Sequence, residues 1–159
     1  MSDFINKVLT IILIFVMLVL APLLISYMSS EMVTQRLILN EVSQFIDRVT
    51  DKGIINTHDL DDLYMGINSH GGLYEVKVEI YISADYKDDY GLTRRTYYRY
   101  NEEIDNLHKN PGSVATLGVG DVVKVHVKEI GMSNAKRLLW SLLRVDKGPF
   151  SFSLAGTVR

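Results

Sequence analysis

Apolar side chains first crowd together, then alternate, along this chain. From Val8 to Ile25 there are eighteen residues, and Thr10 is the only polar side chain among them. At 1.5 Å per residue such a helix spans about 27 Å, close to the thickness of a hydrocarbon core. The core helix of a small domain would show a polar face, and this run has none. After Tyr27 the pattern becomes one-sided. Leu37, Ile38, Val42, Phe45, Ile46 and Val49 mark one face, and Gln35, Arg36, Asn40, Glu41, Gln44, Asp47 and Arg48 fill the other. The spacing predicts one helix from about Phe4 to Lys52, stopped by Gly53. Pro22 lies inside it, removes the hydrogen bond to the carbonyl of Leu18, and is expected to kink it.

Beyond Gly53 the elements shorten. Asn56 or Thr57 caps a helix that buries Leu60, Leu63, Tyr64 and Ile67, and Gly71-Gly72 ends it. From Tyr74 to Ile82 the period is two: Val76, Val78, Ile80 and Ile82 face one way, Glu75, Lys77, Glu79 and Tyr81 the other. Asp85–Gly91 reads as a polar loop, and Thr96, Tyr98 and Tyr100 mark a second strand. Asn101 caps a brief helix carrying Ile104 and Leu107. After the turn at Asn110-Pro111-Gly112 come strands at Val114–Leu117 and Val122–Lys128, a helix at Ser133–Leu143 and a last strand at Phe150–Val158.

The fold class expected is therefore α+β, with a long transmembrane-plus-amphipathic helix packed on an antiparallel sheet of four to five strands. The domain plan is a transmembrane anchor over 1–28, its amphipathic continuation over 29–53, and an extracytoplasmic α+β domain over 54–159. Val8, Ile12, Phe15, Val19, Pro22 and Ile25 serve as membrane anchor and helix-packing residues. Ile38, Val42, Phe45 and Val49 are expected to pack on Val76, Val78 and Ile80.

Charge and composition narrow the function classes. The apolar run is longer than that of a secretory signal, and no small-x-small cleavage site follows it, so it reads as a retained single-pass anchor. Seven residues precede it, ending in Lys7, which points to a cytoplasmic N-terminus. The net charge of −2 argues against a nucleic-acid partner. With no cysteine there are no disulfides, thiolate catalysis or cysteine-based metal sites. His58, His70, His108 and His126 lack metal-ligand spacing. Asp59-Asp61-Asp62 suits the start of a helix, and Asp85, Asp88 and Asp89 form a candidate ion-binding loop without calcium-loop order. Ser133 and Lys136 match S-x-x-K, but the companion motifs of such acyl-transfer enzymes are missing, and Ser133 reads as an N-cap. Arg94-Arg95 reads as a solvated strand end, and Gly120-Asp121 as a hairpin turn. No catalytic residue, cofactor or metal site is assigned.

The layout of the apolar run Val8–Ile25, Pro22, the amphipathic continuation to Lys52 and the sheet behind it resembles type IV pilin-like proteins, particularly the TadE-like pseudopilins. The stretch Phe45–Gly53, then a short helix and Tyr74-Glu75-Val76-Lys77-Val78, is also similar to small membrane proteins of that group. The resemblance is architectural and covers most of the chain; the family's prepilin-peptidase pattern is not visible. It implies a non-enzymatic structural subunit of a pilus, secretion or conjugation apparatus. The implied partners are the lipid bilayer, other pilin-like or membrane subunits, an assembly platform protein and further copies of the chain. The alternative expectation is a membrane-tethered extracytoplasmic binding or sensory module.

Overall fold

The computed structural model describes residues 2–110, 112–131, 140–141 and 148–159. The chain divides into two compact units, Met1–Leu37 and Ile38–Arg159. Helix α2 (Ala21–Lys52) supplies the end of the first and the start of the second. The amphipathic segment from Ile38 belongs to the folded C-terminal unit.

In the first unit, α1 (Ser2–Phe15) is followed by a π-helical turn over Val16–Leu20 and then by α2. At Pro22 the sequence predicts a lost hydrogen bond and a kink within one α-helix; the helix instead has a π turn just before it. Proline has no N–H, and its ring collides with the carbonyl four residues back. Widening the preceding turn relieves that collision, and the Ala21 N–H bonds the carbonyl of Val16 instead. Every large apolar side chain from Phe4 to Phe15 is exposed within the chain. Thr10, the lone polar group of the run, donates its hydroxyl to the Asn6 carbonyl at 2.8 Å and so presents no unsatisfied donor.

The second unit is α+β. Its main sheet has the order β3-β2-β5-β6, antiparallel throughout, from β2 (Tyr74–Lys87), β3 (Thr93–Arg99), β5 (Val122–Glu129) and β6 (Ser151–Thr157). Val76, Val78 and Ile80 lie opposite Val127, Val125 and Val123, whose partners on β6 are Phe152, Leu154 and Gly156. One apolar cluster joins Val78, Ile80 and the three β5 valines to Ile38, Val42, Phe45, Ile46 and Val49 of α2, with Val76 packed against it. β-branched residues suit this role because their stiff side chains fill a pleated face with little entropy to lose. At Gly156 the helix comes closest: a Cβ there would overlap the Ile46 Cγ2 and lie 3.1 Å from the Thr50 Cγ2.

Shorter elements complete the core. Gly53, at φ 66°, ends α2 and donates to the Val49 carbonyl at 2.8 Å. β1 (Ile54–Asn56) then pairs with β4 (Val114–Thr116) in a separate two-stranded sheet, burying Ile55 and Ala115. The pattern placed Val114–Leu117 in the main sheet and missed Ile54–Asn56, since three residues are too few to show a period. α3 (Thr57–Asn68) opens on a capping box in which Asn56 accepts from the Asp59 N–H and Asp59 accepts from the Asn56 N–H. Leu60, Leu63 and Ile67 are buried, with Tyr64 packed against them, and α3 ends at Asn68, before Gly71. α4 (Glu102–Lys109) buries Ile104 and Leu107.

Four further expectations change. Asp85–Lys87 continue β2, because β3 pairs with them and sets Arg95 opposite Asp85. Pairing with β5 ends at Tyr81, so Ile82 lies beyond the core and is 37% exposed. Leu37 is exposed, unlike Ile38, Val42, Phe45, Ile46 and Val49 on the same helix. Asn101 stands at the start of α4 with no side-chain cap; its amide oxygen accepts from the Arg99 guanidinium at 2.9 and 3.0 Å. The helix expected at Ser133–Leu143, with the Ser133 and Lys136 pair, lies outside the described residues apart from Trp140 and Ser141, which are helical.

The Gly156 contact is testable. Gly156→Ala should cost about 1–3 kcal/mol of unfolding free energy by forcing α2 and the sheet apart. Combining it with Ile46→Ala should cost less than the sum of the two changes. Thermal melts of the full chain in detergent measure both.

Candidate functional site

Among the described residues two surfaces stand out: the apolar exterior of the first unit and the outer, polar face of the four-stranded sheet. The anchor residues Val8, Ile12, Phe15, Val19, Pro22 and Ile25 are all exposed. Among the described residues this is the one helix long and apolar enough to cross a membrane. Ile38, Val42, Phe45 and Val49 are by contrast gathered into the same cluster as Val78 and Ile80.

On the outer sheet face, Glu79 is unusually enclosed for an acidic residue pointing away from the core. Its side chain is only 12% exposed. The Arg99 Nη2 lies 2.9 Å and the Lys77 Nζ 3.3 Å from its Oε1, and the Tyr81 hydroxyl donates to its Oε2 at 2.9 Å. Strand alternation puts Lys77, Glu79 and Tyr81 on one face, and pairing of β2 with β3 sets Arg99 opposite Tyr81. Burial pushes the Glu79 carboxyl up, but the Tyr81 hydroxyl, Lys77 and Arg99 outweigh it and hold the group below the usual carboxylate range. The same bond to Glu79 raises the Tyr81 phenol. A carboxylate held ionised by three donors fixes a charged surface; it is poorly suited to taking up a proton near neutrality. Further along this face His126 and Ser153 share a 2.7 Å hydrogen bond, and Lys124 lies opposite Glu79 on β5.

Asp121 is the residue whose role the sequence concealed. Its buried carboxylate accepts from the Ser83 N–H at 2.8 Å, the Ser83 hydroxyl at 3.2 Å and the Gly118 N–H at 2.7 Å. Its backbone bonds Gly118 and Val158. Reading Gly120-Asp121 as a generic turn missed this because Ser83 is distant in sequence; Gly-x-Gly-Asp was the only local signal.

The acidic runs serve the fold. Asp85 receives Arg95 at 2.8 and 3.3 Å, and this bond holds its carboxyl below the ordinary value. Asp88 pairs with Arg94 at 3.1 Å and accepts from the backbone of Tyr90 and Leu92, closing the β2–β3 hairpin. Two of the three carboxylates of the candidate ion loop are therefore engaged, and Arg94-Arg95, exposed at the start of β3, are their partners. Asp59 closes the α3 cap, and Asp62 faces His58 at 2.9 Å and Arg48 at 3.9 Å. His108 donates its Nδ1–H to the Ile104 carbonyl at 2.7 Å, and its Nε2 lies 3.3 Å from the Tyr64 hydroxyl. Burial, then the Asp61 charge, raises the Tyr64 phenol and keeps that proton in place. Among the described residues no three His, Asp or Glu side chains gather in a way that could hold a metal ion.

Comparison with known protein families, curated proteins and solved structures gives no match.

Two outcomes follow. Asp121→Asn turns an acceptor into a donor against either Ser83 or Gly118 and should destabilise the chain by about 1–3 kcal/mol in denaturant titration. A depressed carboxyl stabilises fully above its unfolded value and loses that contribution as pH falls through its folded value. The parent should therefore lose more stability than Glu79→Gln as pH drops from about 5 to about 3, below the ordinary glutamate range near 4.3. Melts of both proteins across that range check the sign.

Proposed function

We propose that this chain is a membrane-anchored, non-enzymatic structural subunit of pilin-like type, serving a pilus, secretion or conjugation apparatus. The observation that carries this reading is helix α2. It bears lipid-compatible side chains at its start and core residues of the α+β unit from Ile38 onward. One helix thus runs from the apolar segment into the α+β unit, which suits a subunit that delivers its domain into an assembly. Lys7, immediately before the apolar run, supports a cytoplasmic N-terminus and an extracytoplasmic domain. The partners in this reading are the bilayer, other membrane subunits and an assembly platform protein. The second reading, a tethered binding or sensory module, draws on the fixed charges around Glu79 on the outer sheet face.

Crosslinking in native cells separates the two. A single cysteine at Gln44, exposed on α2, has no native thiol to compete with it. The expected result is a ladder of oligomers or an adduct with another membrane subunit. Monomers alone, with the thiol freely labelled, would replace the subunit reading with the binding module. Pro22→Leu should restore ordinary α-helical turns at Val16–Leu20, reducing crosslinked species while resistance to alkaline extraction stays unchanged.

A further inference from the structure

The first unit carries apolar side chains beyond the length that a bilayer requires. Val8–Ile25 already spans about 27 Å, yet Met28 and Met32 beyond it are 39% and 52% exposed. Ala21, Ile25, Met28, Met32 and Gln35 follow one another at steps of four, three, four and three residues. This alternation averages 3.5 and keeps one seam of a helix facing a partner helix. The seam begins where α-helical geometry resumes after the π turn, whose extra residue per turn breaks the phase with the side chains before it.

The flanking charges identify the partner. Glu31 and Arg36 stand five residues apart, on either side of Met32 and Gln35. In a parallel, in-register pair of identical helices, that is the separation between the g position of one strand and the facing e position of the other. Glu31 of each copy then meets Arg36 of its mate, and the pairing occurs twice by symmetry. An antiparallel arrangement would not bring these positions together, and anchoring in one membrane imposes the parallel one. Gln35 lies in the seam, its amide 3.3 Å from the Glu31 carboxylate. An amide both donates and accepts, so two Gln35 side chains can bond each other across a two-fold axis and fix the register.

We infer that a second copy of this chain occupies the seam, forming a short parallel two-helix coil over residues 21–36. The inference rests on the anchored-subunit reading above and names one of its partners. The test uses full-length protein in native membranes with single cysteines. Mild oxidation should give about tenfold more disulfide dimer from Met28→Cys and Gln35→Cys, on the seam, than from Ser30→Cys and Val33→Cys, off it. In the Gln35→Cys background, Glu31→Arg should lower the dimer yield about fivefold, and adding Arg36→Glu should restore it. Equal yields around the helix, or yields indifferent to both charge changes, would overturn the seam, as expected of a stripe that merely meets lipid. Gln44→Cys adducts persisting without seam dimers would overturn the coil and leave the subunit reading standing. Loss of both would remove the two together.

Discussion

The contact on which the C-terminal unit depends is that between the apolar face of α2 and the valine face of β2 and β5. Ile38, Val42, Phe45, Ile46 and Val49 lie with Val78, Ile80, Val123, Val125 and Val127 in one cluster, most of them with almost no exposed surface. Dispersion and burial on this scale require close approach, and the sheet provides it by placing a glycine at position 156. The remaining elements add to this core. α3 and α4 contribute Leu60, Leu63, Ile67, Ile104 and Leu107, and the β1–β4 pair contributes Ile55 and Ala115.

Polar groups hold the frame in place. Asp121 ties the turn before β5 to Ser83 on β2, and the Asn56–Asp59 box starts α3 directly after β1. Glu79 with Lys77, Tyr81 and Arg99 pins the outer face of the sheet. Each of these carboxylates accepts from donors within the chain, as burial of a polar group requires. Among the described residues the surfaces open to a partner are therefore the apolar helix of the first unit and the charged face of the sheet.

The long elements were legible because their periods are long enough to repeat. Eighteen residues with one hydroxyl define the apolar helix, and Val76-x-Val78-x-Ile80 defines a strand whose burial then follows. Gly53 was readable as a stop because few other residues take a positive φ without strain. The short β1 strand, the extension of β2 to Lys87 and the exposure of Ile82 were not readable. Each depends on where a partner strand begins or ends, and a partner distant in sequence leaves no local mark.

By itself, then, the sequence determined the apolar helix, the α+β class, the core face of α2 and the alternation of β2, since all of these follow from local spacing and burial. Tertiary structure alone decided that Pro22 is accommodated by a π turn, that Val114–Thr116 pairs with Ile54–Asn56 away from the main sheet, and that Asp121 and Glu79 are enclosed. The physical reason is common to the three. An unsatisfied carbonyl, an unpaired strand edge or a buried charge can be resolved in several ways locally, and only the groups that the rest of the chain brings alongside select one.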